Sequence, residues 1–374
     1  MQTAFWLAAL LGHGALWVEA VNRLHGLGWN RKLIDRLTLV CGVACAGIPI
    51  AAAILLLRTS PSQPAPAGLE AYAWFSIAVL AVVILTRIGL HWDPQRDRQT
   101  TKTDVATVNI HQSHGAAAMR DATLHRLASL PGNTLLQPQL ESLTVPLERL
   151  PPALEGLKVA HLTDLHMSGR ITKPYFVDLL QKVNDWRPDI VCVTGDIVEH
   201  APQIDWIDDT LGKLTPALGS FFILGNHDKK IDHDAVRRRL VEQGLIDVGD
   251  SPATVERHGV ALTLCGDERP WFASEPSLTG DEPLVICLAH TPDRFGWAVR
   301  QGVDLVLAGH NHGGQVCLPP FGALLCPSVH GVRYAAGTFR RGRTVMHVGR
   351  GSGSLFPLRY ACPPEVALVT LVVK

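Results

Sequence analysis

Two imidazoles flank one asparagine in Gly309-His310-Asn311-His312, directly after the apolar run "DLVLA". In an extended loop, residues i and i+2 point the same way, and the neighbouring glycines let the backbone turn sharply and approach a ligand closely. Both histidines can then face one small object, and imidazole is the commonest metal ligand. The pattern recurs along the chain: "VAHLT" ends in Asp164-Leu165-His166, "IVCVTG" in Asp196, "FFILG" in Asn226-His227-Asp228, and "VICLA" in His290. A single Asp after a strand is ordinarily a turn residue or helix cap. Five successive apolar runs, each ending in a metal-competent side chain, point instead to one site collected from the ends of a sheet.

The elements that must position these residues are readable from Leu157 onward. "LKVAHL", "DIVCVTG", "SFFILG", "PLVICLAH" and "DLVLAG" are short buried strands. "KPYFVDLLQKVNDW" places Phe176, Leu179, Leu180, Val183 and Trp186 at helical spacing, with Pro174 suited to the first turn. In "TPDRFGWAVRQG", Thr291 can cap, Pro292 can start and Gly302 can end a helix. Strands alternating with crossover helices imply an α/β sheet, whose ligands bind at the carboxyl ends of its strands. His161, inside the first strand, is expected to pack in the core, and His233, His258, His330 and His347 to lie on the surface or in hairpins. No dinucleotide fingerprint, Walker loop or G-x-S-x-G motif is present.

The chain has 374 residues and a formal net charge of zero, so no global field attracts nucleic acid, and no nucleic-acid partner is expected. Its 8 cysteines are scattered without a C-x-x-C pair and read as small core residues in a reducing compartment. The apolar excess lies near the N-terminus. Leu37–Leu57 is uncharged and as long as a membrane-spanning helix, Ala71–Thr86 is a second span, and Thr3–Val21, interrupted by His13 and Glu19, is a third. Thr3–Val21, the first in chain order, reads as a retained helix rather than a signal peptide, since it lacks a basic n-region and a small-residue cleavage site. Arg23, Arg31, Lys32 and Arg36 follow the first helix, only Arg58 lies in the loop after the second, and Arg87, Arg96, Arg98 and Lys102 follow the third. That alternation predicts a multi-pass protein of the cell (inner) membrane with its catalytic domain in the cytoplasm. The expected organisation is a membrane domain over 1–92, a linker over 93–139 with a weak helix near Ala116–Leu130, and a catalytic domain over 140–374.

The five blocks resemble the calcineurin-like metallophosphoesterases, whose pattern is D-x-H, G-D, G-N-H-[DE], a further His and G-H-x-H. The resemblance runs from about Leu157 to the C-terminus, and "GGQVCLP" with "VGRGSGSLFPLRYACPPEV" is similar to the bacterial membrane-associated branch. It implies a two-sheet αββα sandwich, here preceded by N-terminal transmembrane helices, and two divalent metal ions bridged by Asp196. Asp164, His166 and His312 would hold one ion, and Asn226, His290 and His310 the other. Such mixed N/O ligands suit Mn2+, Fe2+ or Zn2+. His227 would be the general acid for the leaving group or a clamp on the phosphate. Asp228 would orient it or cap the following turn, and Arg350 and Arg359 would hold a substrate phosphate or sit on a solvated hairpin. "GDIVEH" and "GNHD" depart from the Ser/Thr-phosphatase versions of these blocks, and Ala289 stands where a glycine often precedes the fourth-block histidine.

The implied function is a membrane-anchored phosphoesterase acting on phosphodiester or pyrophosphate bonds. Some members of the resembling branch hydrolyse UDP-2,3-diacylglucosamine, and a three-helix anchor fits a lipid-linked substrate. The competing readings are an anchored phosphodiesterase with soluble substrates and a membrane sensor or scaffold whose phosphoesterase-like domain binds without turnover.

Overall fold

The computed structural model describes residues 2–58, 64–273 and 275–374. They form two units, Met1–Asp93 with Pro319–Arg333, and Pro94–Leu318 with Tyr334–Lys374.

The first unit contains α1 (Gln2–Gly26), α2 (Arg31–Arg58) and α3 (Ala67–Gly89), each within a stretch long and apolar enough to cross a membrane. The expected basic-poor loop between α2 and α3 falls partly on residues 59–63, outside the described residues. α1 and α3 run parallel: Phe5 meets Trp74 at one end, with ring centroids 5.0 Å apart, and Glu19 pairs with Arg87 at the other. A Cβ at Gly12 would lie 1.9 Å from the Ser76 carbonyl oxygen, so glycine is what lets these helices touch. His13, which interrupts the apolar run, is turned into the bundle. Its Nδ1 lies 2.7 Å from the Tyr72 hydroxyl and its Nε2 3.0 Å from the Cys45 carbonyl oxygen, as intramembrane polar groups require partners.

The second unit is a two-sheet α/β sandwich. Its chain order begins with β1 (Thr101–Thr107), α4 (Ile110–His114), α5 (Ala122–Ala128), β2 (Gln139–Leu147), β3 (Lys158–Leu162), α6 (Lys173–Asp185), β4 (Ile190–Thr194) and β5 (Gly219–Ile223). There follow α7 (His233–Glu242), β6 (Ile246–Asp247), β7 (Ala253–Arg257), β8 (Val260–Asp267), β9 (Val285–Ala289), α8 (Phe295–Gln301) and β10 (Leu305–Ala308). After the two-residue strands β11 (Cys317–Leu318) and β12 (Gly322–Ala323) come β13 (Gly337–Arg341), β14 (Thr344–Val348) and β15 (Glu365–Val373). One sheet has the order β1-β2-β15-β3-β4-β5-β6 and the other β13-β14-β10-β9-β8-β7.

Strand alternation builds the layers. Val159, Ile190 and Cys192 point into the core shared with Ile286, Leu288, Leu305 and Leu307 of the opposite sheet. Their neighbours Ala160, Leu162, Val191 and Val193 point the other way and bury Phe176, Leu179 and Val183 of α6. On the second sheet, Cys287, Val306 and Met346 cover Phe295, Trp297 and Ala298 of α8. Helix, sheet, sheet and helix are thus stacked as the resemblance implied. β3, β4 and β5 are parallel, as are β9 and β10, so their carboxyl ends collect the loops carrying the candidate ligands.

Two domain boundaries are corrected. Residues 94–139 are not a linker: β1 pairs antiparallel with β2, and Ile110, Met119 and Leu135 are buried in the α6-side core. Every residue of β1 is exposed, so this edge strand is held by backbone hydrogen bonds and carries no apolar alternation for a sequence reading to detect. Pro319–Arg333, expected inside the catalytic domain, belongs to the helical unit. His347 lies in the β13–β14 hairpin but is buried there, 3.2 Å from Glu365 Oε1, rather than on the surface. His161 is in the core as expected, its Nε2 2.9 Å from Thr194 Oγ1, and burial pushes it down to about 3.

Candidate metal centre

Each ligand block sits where a strand stops and the backbone reverses. Asp164, His166, Asp196, His310 and His312 all have φ between 46° and 70°, so among the described residues five of the nine non-glycine ones with positive φ are candidate ligands. That conformation is costly for a residue with a Cβ and concentrates at functional sites. The adjoining glycines are required by contact. A Cβ at Gly225 would stand 2.2 Å from Asp196 Oδ1, one at Gly195 2.8 Å from His290 Nδ1, and one at Gly309 2.4 Å from Asp164 Oδ2.

These side chains form overlapping clusters: Asp164, His166 and His312; Asp196, His290 and His310; and His166, Asp196 and His227. His166 Nε2 and His312 Nε2 are 2.8 Å apart, with Asp164 Oδ1 3.4 Å from the latter. Asp196 stands between the first two clusters. Its Oδ2 is 3.6 Å from His166 Nε2 and its Oδ1 3.4 Å from His290 Nε2. Asp164 is further fixed by the His310 backbone N–H, which donates to Oδ2 at 2.9 Å.

The donor set fits a cation. His290 Nδ1 lies 2.7 Å from the Thr194 carbonyl oxygen, which can only accept, so Nδ1 carries a proton. Its Nε2 then faces Asn226 Oδ1 at 3.0 Å and Asp196 Oδ1 at 3.4 Å. Three electron pairs meeting at one buried point require either a second proton on His290 or a metal ion. The ring's basicity has the same origin. Burial opposes its charge, but Asp196 and then Asp164 outweigh burial and raise His290 to about 9. Asp196 itself is held well below the carboxylate range: burial opposes its ionisation, and His290, His227 and His166 overcome it. His312, buried and beside His166 and Arg359, is pushed down and stays neutral.

Glu199 was not anticipated. Its Oε1 lies 2.6 Å from His227 Nδ1 and also contacts His166 Nδ1, so one carboxylate orients a candidate ligand and the candidate acid together. Burial would raise Glu199, but its hydrogen bonds to His166 and His227 bring it down to about 2. The only trace in sequence was a carboxylate shortly after Asp196 in "GDIVEH". Trp271 was also missed. Its ring packs 5.1 Å from His290 and 4.8 Å from His310, walling that side of the site.

Three expected roles are revised. Asp228 does not orient His227: its Oδ1 accepts from the N–H groups of Ile197 and Val198 at 2.9 and 3.0 Å and its Oδ2 from Gly225 at 2.9 Å, tying two ligand loops together. Arg359, fully buried, donates to the carbonyl oxygens of His312 and Arg350 at 3.1 and 2.6 Å and to that of Gly353. Arg350 pairs with Glu141 at 2.7 Å and Glu365 at 3.3 Å. Arg359 thus braces the His312 loop from behind, and Arg350 is engaged by two carboxylates instead of a phosphate.

A sandwich whose strand ends converge on buried His and Asp clusters defines a metal-dependent phosphoester hydrolase. The calcineurin-like phosphoesterase family model matches residues 157–314. YkuE, an uncharacterised metallophosphoesterase of Bacillus subtilis, is 30% identical over 61% of this chain and 83% of its own. The phosphodiesterase YaeI of Escherichia coli is 31% identical over 58% of this chain and 82% of its own. A zebrafish (Danio rerio) transmembrane protein with a metallophosphoesterase domain is 29% identical over 64% of this chain and 58% of its own. The chain belongs to the calcineurin-like phosphoesterases, and its three long apolar helices associate it with a membrane.

Proposed function

We propose that the chain is a membrane-anchored phosphoesterase with two divalent ions, Mn2+, Fe2+ or Zn2+, bridged by Asp196. It cleaves a phosphodiester or pyrophosphate bond in a lipid-linked substrate, of which UDP-2,3-diacylglucosamine is one chemical example, at the cytoplasmic face of the inner membrane. The observation that carries the two-ion reading is the division of Asp196: its two oxygens face different ligand clusters. When bound, such ions neutralise the phosphate, activate water and stabilise the leaving oxygen. Asp164, His166 and His312 would hold one ion, and Asn226, His290 and His310 the other. With Asp196 included, only two of the seven ligands are anionic, so the loaded site would remain positive and attract phosphate. His227, partly exposed and oriented by Glu199, would deliver a proton to the departing oxygen.

The lipid-linked substrate is supported by the anchor and by the resemblance to membrane-associated members, and the orientation by the Lys/Arg distribution. The test uses the full chain in liposomes with a soluble aryl phosphodiester and a phospholipid-borne diester, before and after chelation. Chelation should abolish both activities, and restored metal should favour the lipid-borne substrate. Chelation-resistant hydrolysis would refute the metal mechanism. Preference for the soluble diester would refute the lipid reading alone. A reporter active only outside the cytoplasm, fused after Lys374, should remain silent.

A further inference from the structure

Pro319–Arg333 is chemically unlike a connecting loop. Within the helical unit it is received by the last turns of α1 and α3. Asn22 Nδ2 donates to the Leu324 carbonyl at 3.0 Å, and Asn22 Oδ1 accepts from the Cys326 N–H at 3.0 Å. Arg87 donates to the Ala323 carbonyl and pairs with Glu19 at 2.7 Å. A Cβ at Gly26 would lie 2.2 Å from the Val329 nitrogen, so backbone packs on backbone. A cation at a membrane helix end is costly unless it is paired, and the segment's main chain supplies part of that pairing.

The segment leaves Phe321, Leu325 and Val329 exposed although its backbone is held firmly. The same end of the helices exposes Trp29, between α1 and α2, and Trp92, just after α3. Interfacial tryptophans mark the level where acyl chains give way to headgroups. Arg31 and Lys32, which open α2 at that end, match the anionic headgroups found there. The segment also follows the metal-ligand loop in the chain. It begins after β11, which follows the His312 turn, and ends before Tyr334, whose carbonyl accepts from Asn311 Nδ2 at 2.8 Å.

We propose that Pro319–Arg333 is a lipid-contacting element: Phe321, Leu325 and Val329 enter the bilayer boundary at the ends of α1 and α3 and meet phospholipid there. The inference rests on the chain's membrane association, and the test separates the two. Full-length protein in phosphatidylethanolamine and phosphatidylglycerol vesicles carries a benzophenone amino acid at position 321 or 325. Position 39 on α2 serves as the lipid-exposed reference and position 241 on α7 as the water-exposed one, both residues being exposed. Irradiation should give phospholipid adducts at 321 and 325 at least about fivefold above position 241, as expected of side chains buried several ångströms into the headgroup boundary. Adducts at 39 with none at 321 and 325 would overturn the proposal and leave the anchor intact. No adducts at 39 would overturn both. A second readout is Leu325→Glu with Phe321→Glu, which should slow hydrolysis of a phospholipid-borne diester about tenfold or more while leaving an aryl diester within about twofold, because charge is expelled from the boundary. Equal effects on both substrates would contradict it.

Discussion

Glu199 Oε1 lies 2.6 Å from His227 Nδ1. The same oxygen contacts His166 Nδ1, so the orientation of the proposed proton donor is tied to that of a candidate metal ligand. Replacing this carboxylate by an amide keeps the shape and removes the charge. Glu199→Gln should lower kcat about 10- to 100-fold, the usual cost of losing a carboxylate behind a ligand histidine. KM should change little, since Glu199 acts through His166 and His227. An unchanged kcat would assign Glu199 a packing role only.

Arg359 supports the His312 carbonyl from a fully buried position. Truncation leaves three carbonyl acceptors short of a donor, at about 1–3 kcal/mol for each group left unsatisfied. Arg359→Ala should therefore lower Tm and metal retention together. A substrate-binding arginine would behave differently, with raised KM and unchanged Tm. Thermal melts with and without metal, alongside Michaelis kinetics, separate the two.

The ligand blocks were legible because metal chemistry restricts residue type and glycine contact restricts their neighbours. Gly225, for instance, abuts Asp196 so closely that no side chain fits. The sheet core was legible for a similar reason, since Val159 and Ala160 face opposite layers in strict alternation. The supporting shell was not. Asp228 and Arg359 look like reactive groups in sequence, and only their backbone partners reveal that they hold loops. β1 was invisible because an exposed edge strand needs no apolar face. Trp271 reaches His290 from a loop after β8 whose sequence carries no spacing signal.

Metal uptake should be coupled to protons. Without an ion, burial disfavours His290 protonation, but Asp196 and Asp164 outweigh it and hold the ring charged up to about 9. A ligand imidazole must be neutral, so below that pH an entering cation must expel the proton. Affinity should therefore rise with pH toward about 9, by up to about tenfold per unit for one proton, and level off above it. His312, already neutral, adds nothing to this slope. Calorimetry in buffers of different ionisation enthalpy at pH 7.5 should register at least one proton released. Uptake with no proton release would contradict the assignment of His290 as a ligand.

The central claim is that Asp196 joins two metal positions, and metal counting tests it most directly. Wild-type protein, reconstituted and desalted, should carry close to two transition-metal ions per chain by mass spectrometry, as a bridged phosphoesterase pair requires about two. Asp196→Asn should fall to one or fewer, with diesterase activity lost and the fold retained by circular dichroism. One ion in the wild-type protein, or two ions and full activity in Asp196→Asn, would contradict the account.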